Sequence, residues 1–200
     1  MKPRLFNTSV TVIAAVLFGS LLYNPAVSQT KHTSTGTVKI VIEGTSNLHD
    51  WNMTSDKGTF SGVFDINATG SPTGMTALNF SVPAQSLKSE HTAMDKNTYK
   101  ALNTSHFPSI SFTSGAATIK QEGASGYTLV TKGQLTISGT TRDVQLVANG
   151  VLNADKTVTY SGQYKLKMTD YKVEPPSIMF GAIKTGDDIV VRFSLVLKTI

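Results

Sequence analysis

Cysteine is absent from this chain of 200 residues. Without a thiol the protein forms no disulfide and carries no lipid-modified cysteine, so packing alone must hold the fold together. Charged residues are sparse as well, at 16% of the chain, and there is a single tryptophan. These absences exclude a scaffold reinforced by disulfides and a domain dominated by charge.

Long apolar runs are missing too, except near the N-terminus. Lys2 and Arg4 precede a mostly apolar run from Val10 to Leu22, and residues 26–28 supply the small side chains that a signal peptidase requires. The run is shorter than the roughly 20 residues of a membrane-spanning helix. We therefore predict a cleaved signal peptide over residues 1–28 and a periplasmic or secreted mature protein.

The predicted mature domain, residues 29–200, has 172 residues, which suits one domain with a single core. Removal of Lys2 and Arg4 with the signal lowers the formal net charge from +5 to +3. The lysines are spread along the chain, so the basic stripe of a nucleic-acid-binding protein is missing. We expect no nucleic-acid partner.

What the mature sequence does have is alternation of apolar and polar residues over short segments, separated by Gly, Asn and Asp turns. About eight such segments predict strands, at residues 38–42, 60–66, 78–82, 110–112, 127–137, 144–148, 160–168 and 189–197. Connections of hairpin length predict an all-β fold, either an antiparallel barrel or a sandwich. Turns are expected at residues 55–58 and at Asp187-Asp188.

The segment from Ser89 to Asn103 interrupts this alternation. One helical face would carry Met94, Thr98, Ala101 and Leu102. Ser89 is a plausible N-cap, and Pro108 returns the chain to extended structure. We predict one short helix over about residues 89–103, at the mouth or the flank of the barrel.

Four segments resemble the YceI-like family of exported bacterial proteins: SNLHDW (46–51), MDKNTYKALNTSHFPSISF (94–112), GQLTISGTTRDVQL (133–146) and DDIVVRFSLVL (187–197). The most specific are the helix followed by FPSISF and the LTISGTTRDV segment. The resemblance implies an eight-stranded antiparallel lipocalin-like barrel with an apolar interior. In some members of the family that interior holds a polyisoprenoid or another long-chain amphiphile. The resemblance implies no catalytic motif.

Aromatic residues on the apolar phases are the candidate ligand contacts. A barrel of eight strands is either filled by its own side chains or just wide enough for one slender ligand. Gly62, Ala148 and Gly162 also lie on apolar phases and are expected to leave room. We predict seven ligand-binding residues, the last two near one end of the barrel: Phe60, Phe64, Phe80, Phe112, Tyr164, Trp51 and Tyr99.

Patterns for catalysis or metal binding are missing. The serines have no G-x-S-x-G setting, and no glycine cluster matches a phosphate-binding loop. His32, His91 and His106 are far apart and lack metal-ligand spacing. We predict that the adjacent His49 and Asp50 serve a turn or a ladder. The sequence therefore predicts no catalytic residue, no metal and no cofactor.

These observations favour a binding protein, not an enzyme, that sequesters or carries a polyisoprenoid, a fatty acid derivative or a similar amphiphile. Alternation does not say whether the apolar face points inward or toward lipid, so an outer-membrane barrel is an alternative. The missing aromatic girdles and the extra helix count against stable membrane insertion. An exported enzyme acting on a lipid is a further alternative, and the sequence leaves open whether the protein forms a homodimer.

Overall fold

The structure is a computed structural model that describes residues 30–67, 71–155 and 157–198, with side chains from residue 36 to residue 197 of these ranges. The predicted signal peptide lies outside them. The strands and the one α-helix of the described residues follow in chain order: β1 (Thr30–Ser46), β2 (Trp51–Ile66), β3 (Pro72–Pro83), α1 (Thr92–Ala101), β4 (Ser109–Ser114), β5 (Ala117–Glu122), β6 (Gly126–Ile137), β7 (Thr140–Leu152), β8 (Thr157–Lys167), β9 (Ser177–Ile178) and β10 (Ile183–Lys198).

The strands form a closed antiparallel barrel. Neighbours follow the order β1-β2-β3-β4-β6-β7-β8-β10, and β1 pairs with β10 to complete the circle. Both β4 and β5 pair with β3 on one side and β6 on the other, so they are two halves of one barrel strand. The predicted barrel of eight antiparallel strands is confirmed.

At the break between β4 and β5, hydroxyl groups supply hydrogen bonds to the backbone. Ser114 Oγ and Thr131 Oγ1 both donate to the Ala116 carbonyl, at 2.9 and 2.8 Å. These bonds replace ladder bonds that the interruption removes. The alternation did not predict β5, because only Ala117 and Ile119 of this short segment carry its apolar phase.

Two predicted turns lie inside strands instead. Residues 55–58 belong to β2, where Asp56 and Lys57 together oppose Lys39 of β1 as a β-bulge. The turn-like composition of this segment therefore marks an extra residue and not a reversal of the chain. Asp187 lies within β10, and its carboxylate accepts hydrogen bonds from Thr169 N and Oγ1 at 2.9 and 2.7 Å.

One end of the barrel is filled by side chains, and we call it the packed end. Its inward residues come from the strand halves that meet there, and each is at most 8% exposed: Phe64, Met75, Ile119, Tyr127, Leu129, Val158, Tyr160 and Leu197. The opposite end, which we call the open end, carries α1, the β1–β2 loop and the segment between β8 and β10. None of the helices in the described ranges combines the length and the apolar character of a membrane span.

The two glycines that were expected to leave space for a ligand are instead covered by the protein's own aromatic rings. A Cβ at Gly162 would lie 2.5 Å from both Phe193 Cζ and the Val147 carbonyl oxygen. At Gly62 it would lie 2.9 Å from a ring carbon of Phe64. The prediction that these two glycines leave room for a ligand was wrong, because the protein's own rings occupy that room.

We expect Gly162→Ala to lower the free energy of unfolding by about 1 to 3 kcal/mol, because the added methyl group displaces Phe193 or the β7 backbone. Denaturant titration measures this loss. Gly115→Ala is the matched control, since a Cβ there meets nothing within 4 Å, and it should change stability by less than about 1 kcal/mol. Equal losses in the two variants would contradict the proposed ring packing.

Candidate ligand cavity

A cavity of about 440 Å³ occupies the open half of the barrel. This volume falls in the range of about 300 to 1,000 Å³ that is typical of small-molecule sites. Its wall consists of inward side chains from the strands, among them Phe60, Phe80, Phe112, Tyr164, Phe193 and Leu195. The interior is therefore not filled from end to end.

Alternation along β10 shows how the sequence builds this wall. Ile189, Val191 and Phe193 line the cavity, because every second side chain of a strand points to the same face. Arg192 points outward and pairs with Glu43, with Nε 3.0 Å from Oε2. Apolar residues thus face inward on this strand, while an ion pair lies on its outer face.

The helix α1 covers the open end as a lid. The face predicted from the sequence lines the cavity through Met94, Thr98, Ala101 and Leu102. The predicted N-cap was wrong, because the helix begins at Thr92 and His91 occupies the N-cap position without a side-chain bond. Ser89 instead accepts a hydrogen bond from His91 N at 3.1 Å.

A buried carboxylate fixes the start of this lid. Asp95 is 7% exposed and accepts hydrogen bonds from Ser89 N and Oγ at 2.7 and 2.8 Å. Lys88 Nζ lies 3.6 Å from its other oxygen. Burial by itself would raise the pKa of Asp95, but the bonds from Ser89 and the charge of Lys88 outweigh it, so that pKa is lowered.

Tyr99 anchors the other side of α1 and does not line the cavity. Its hydroxyl lies 2.9 Å from the Gln85 carbonyl oxygen and 2.8 Å from that of Leu87. Lys88 Nζ lies 5.1 Å from its ring centroid, within the range of a cation–π contact. Tyr99 therefore binds the lid to the segment that precedes it.

The β1–β2 loop forms one edge of the cavity mouth. Ser46 Oγ accepts hydrogen bonds from Leu48 N and His49 N at 3.2 and 3.1 Å. His49 Nδ1 lies 2.7 Å from the Asp50 carbonyl oxygen. His49 and Asp50 therefore belong to a turn, in agreement with the prediction for this pair, while the rings of His49 and Trp51 line the cavity.

Of the seven predicted ligand contacts, five line this cavity: Trp51, Phe60, Phe80, Phe112 and Tyr164. Phe64 does not, because it lies farther along β2, in the packed end, with its ring centroid 6.4 Å from that of Phe60. Tyr99 does not line it either, for the reason given above. Ligand contact by the five lining residues stays a prediction.

Several lining residues were not among the predicted ligand contacts. Phe193 and Leu195 lie on an apolar phase that the alternation of β10 already indicated, so the pattern contained the signal for them. Tyr171 lies in a 3-10 turn after β8, and no periodicity pointed to it. It is 2% exposed and lines the cavity.

None of the described residues that line the cavity is Asp, Glu, Lys or Arg, and the two lining histidines, His49 and His91, are exposed. Its interior polar groups include the hydroxyls of Tyr164 and Tyr171. Burial, with further contributions from Tyr164 and Asp170, raises the pKa of Tyr171 to about 12. The phenol is therefore neutral at physiological pH. No group of three or more His, Cys, Asp or Glu in the described ranges is arranged to hold a metal ion.

A closed antiparallel barrel of eight strands with an apolar cavity at one end is a lipocalin-like barrel. The model of the YceI-like domain matches residues 26–197, and the chain belongs to this family. A comparison with curated proteins gives no match.

Solved structures with the same fold include proteins of three bacteria. BcnA of Burkholderia cenocepacia is 16% identical over 80% of this chain and 96% of its own, with a TM-score of 0.60. A polyisoprenoid-binding domain from Saccharophagus degradans is 11% identical over 84% and 100%, also at 0.60. The YceI protein of Campylobacter jejuni is 18% identical over 70% and 82%, at 0.50. At these identities the similarity shows the fold.

We expect Asp95→Asn to lower the free energy of unfolding by about 1 to 3 kcal/mol at neutral pH, because the bonds from Ser89 lose a charged acceptor. Because the pKa of Asp95 is lower in the folded protein than its ordinary value of 3.8, the Asp95 charge stabilises the fold fully above pH 3.8. This stabilisation is lost as the pH falls through the lower pKa of the folded state. When the free energy of unfolding is measured by denaturant titration from pH 7 downward, the values for Asp95→Asn and the wild type should therefore converge at low pH.

Glu90→Gln is the matched control, because Glu90 is exposed and lies on the same segment. It should leave stability and its pH dependence unchanged. A constant difference between Asp95→Asn and the wild type at every pH would contradict the role of the Asp95 charge.

Proposed function

We propose that this protein binds a long-chain amphiphile, such as a polyisoprenoid or a fatty acid derivative, in the barrel cavity. One observation carries the proposal: a cavity of about 440 Å³ is lined mostly by apolar and aromatic side chains, with no Asp, Glu, Lys or Arg in the described lining. Burying a charged molecule against such a mostly apolar wall is costly, whereas the wall matches an alkyl or isoprenoid chain.

The expected energetics suit a carrier. Burying a chain of about sixteen methylene groups at about 0.8 kcal/mol each contributes about 13 kcal/mol before costs. Association costs about 4 to 15 kcal/mol in lost freedom of motion. The net affinity therefore ranges from weak to sub-micromolar, and a protein in this range can release its ligand.

The comparisons support a lipid-like ligand without identifying it. One similar structure is described as a polyisoprenoid-binding domain, and its 11% identity transfers the fold alone. An isoprenoid is therefore the first candidate to test. Fatty acid derivatives fit the same apolar wall.

Binding is favoured over catalysis and over a lipid-facing barrel. The described lining contains no carboxylate, and the hydroxyl of its Ser46 bonds the backbone of His49 and not the imidazole, which does not resemble the activated nucleophile of an enzyme acting on a lipid. The outer faces of β8 and β10 carry Gln163, Lys165 and Arg192, which favours water outside the barrel. We also propose export to the periplasm or the medium, on the basis of the predicted signal over residues 1–28.

Replacing Leu195 by Trp should weaken ligand binding by roughly tenfold or more, because the larger ring displaces two or three methylene groups from the cavity. Val196→Trp is the matched control, since Val196 is the next residue of β10 and is 48% exposed. Binding of a fluorescent fatty acid and of a prenyl alcohol measures the difference.

Native mass spectrometry of protein purified from its own host, followed by organic extraction, would identify the bound molecule. Extraction of a lipid from the wild type and from Val196→Trp, with much less from Leu195→Trp, would support the proposal. Equal ligand content in both variants, or no binding of either probe by the wild type, would contradict it.

A further inference from the structure

The hairpin between β9 and β10 stands at the edge of the cavity mouth. Ile178 pairs with Ile183 at its base, and both residues line the cavity. At its tip, Gly181 N donates to the Ile178 carbonyl at 3.2 Å and Ala182 N to that of Met179 at 3.1 Å. The tip is thus an ordered turn attached directly to the cavity wall.

This tip exposes large apolar side chains. Phe180 is fully exposed and Met179 is 69% exposed, although both are residues that proteins usually bury. Leu48, in the adjacent β1–β2 loop, is 64% exposed. Apolar surface that is gathered at one place, and not scattered, marks an interaction site.

The same two residues adopt a costly backbone conformation. Met179 and Phe180 have φ angles of +54° and +55°, in the left-handed region that Gly, Asn and Asp prefer. Asn or Gly would form this turn with less strain, so the bulky side chains contribute nothing to the turn itself. An apolar contact outside the barrel would account for their place at the tip.

Asn47 joins the two apolar elements into one surface. Its side-chain Nδ2 donates to the Ala182 carbonyl at 2.8 Å, and its Oδ1 accepts from Lys184 N at 2.8 Å. Leu48 is therefore held beside the hairpin tip. We call Leu48, Met179 and Phe180 the mouth patch.

Lysines accompany the mouth patch. Lys184 follows the hairpin base and Lys172 lies on the segment before it, and both side chains are exposed and outside the ion pairs of the described residues. Glu174 is an exposed acidic residue on the same segment as Lys172, and Asp50 is one on the β1–β2 loop that carries Leu48, so the net charge is small. One exposed ring and two exposed aliphatic side chains beside lysines match the interface of a bilayer that contains anionic phospholipid, where apolar side chains insert and lysines reach the headgroups.

We infer that the mouth patch docks the open end of the barrel on the surface of an anionic phospholipid bilayer. Docking there would let a chain pass between bilayer and cavity without crossing water. The transfer step rests on the proposed ligand function, whereas docking by itself does not.

Co-flotation of the purified, delipidated protein with vesicles containing phosphatidylglycerol tests the inference. Phe180→Ser should weaken vesicle binding by roughly tenfold to a hundredfold, because one aromatic side chain no longer enters the interface. Val151→Ser is the matched control, since Val151 is an exposed apolar residue on β7, paired with Gly126 at the packed end, and it should bind vesicles like the wild type. Lys184→Gln should weaken binding less, and only to anionic vesicles.

Three outcomes would overturn the inference. They are absence of the wild type from the vesicle fraction, equal flotation of Phe180→Ser and the wild type, and a dimer that Phe180→Ser converts to a monomer without any vesicle binding. Binding of the fluorescent fatty acid by Phe180→Ser in solution should equal that of the wild type. Loss of vesicle binding with intact ligand binding therefore separates failure of docking from failure of the proposed function.

Discussion

The limited volume inside a closed eight-stranded barrel is the constraint on which the rest of this structure depends. Such a barrel has room for its own side chains or for one slender ligand. This chain divides the interior along the axis, with Phe64, Tyr127 and Tyr160 in the packed end and a cavity of about 440 Å³ in the open half. The packed end supplies the core that a protein without disulfides needs, and the other half is thereby left for a ligand.

The two edges of the open end are held by different kinds of contact. On one edge, the buried Asp95 and the Tyr99 hydroxyl fix α1 to the preceding segment. On the other, Asn47 links the β1–β2 loop to the hairpin through hydrogen bonds that are exposed to water. Exposed loops with few buried contacts open at lower free energy than packed elements. Ligand entry is therefore expected between the loop and the hairpin, while α1 stays in place.

The sequence could predict whatever repeats with a period. Alternation located the barrel strands and the inward face of β10, and helical spacing located the face of α1 that lines the cavity. It could not predict features that depend on a neighbouring strand. The bulge at Asp56 and Lys57 resembles a turn until β1 is placed beside it, and Gly162 resembles free space until Phe193 fills it. Phe64 shares the phase of Phe60, but depth along the barrel axis decides which ring reaches the cavity.

The lack of Asp, Glu, Lys and Arg in the described lining also determines which end of an amphiphile lies inside. An ionised headgroup buried among apolar walls costs several kcal/mol unless it is paired, and the described lining has no Asp, Glu, Lys or Arg and only two exposed histidines, His49 and His91. Such a headgroup must remain in water at the mouth, whereas a neutral hydroxyl, carbonyl or amide can lie beside the phenols of Tyr164 and Tyr171. A ligand with a charged head therefore enters tail first. If the mouth faces a bilayer, its headgroup ends beside the lipid headgroups, and no charge has to cross the apolar wall.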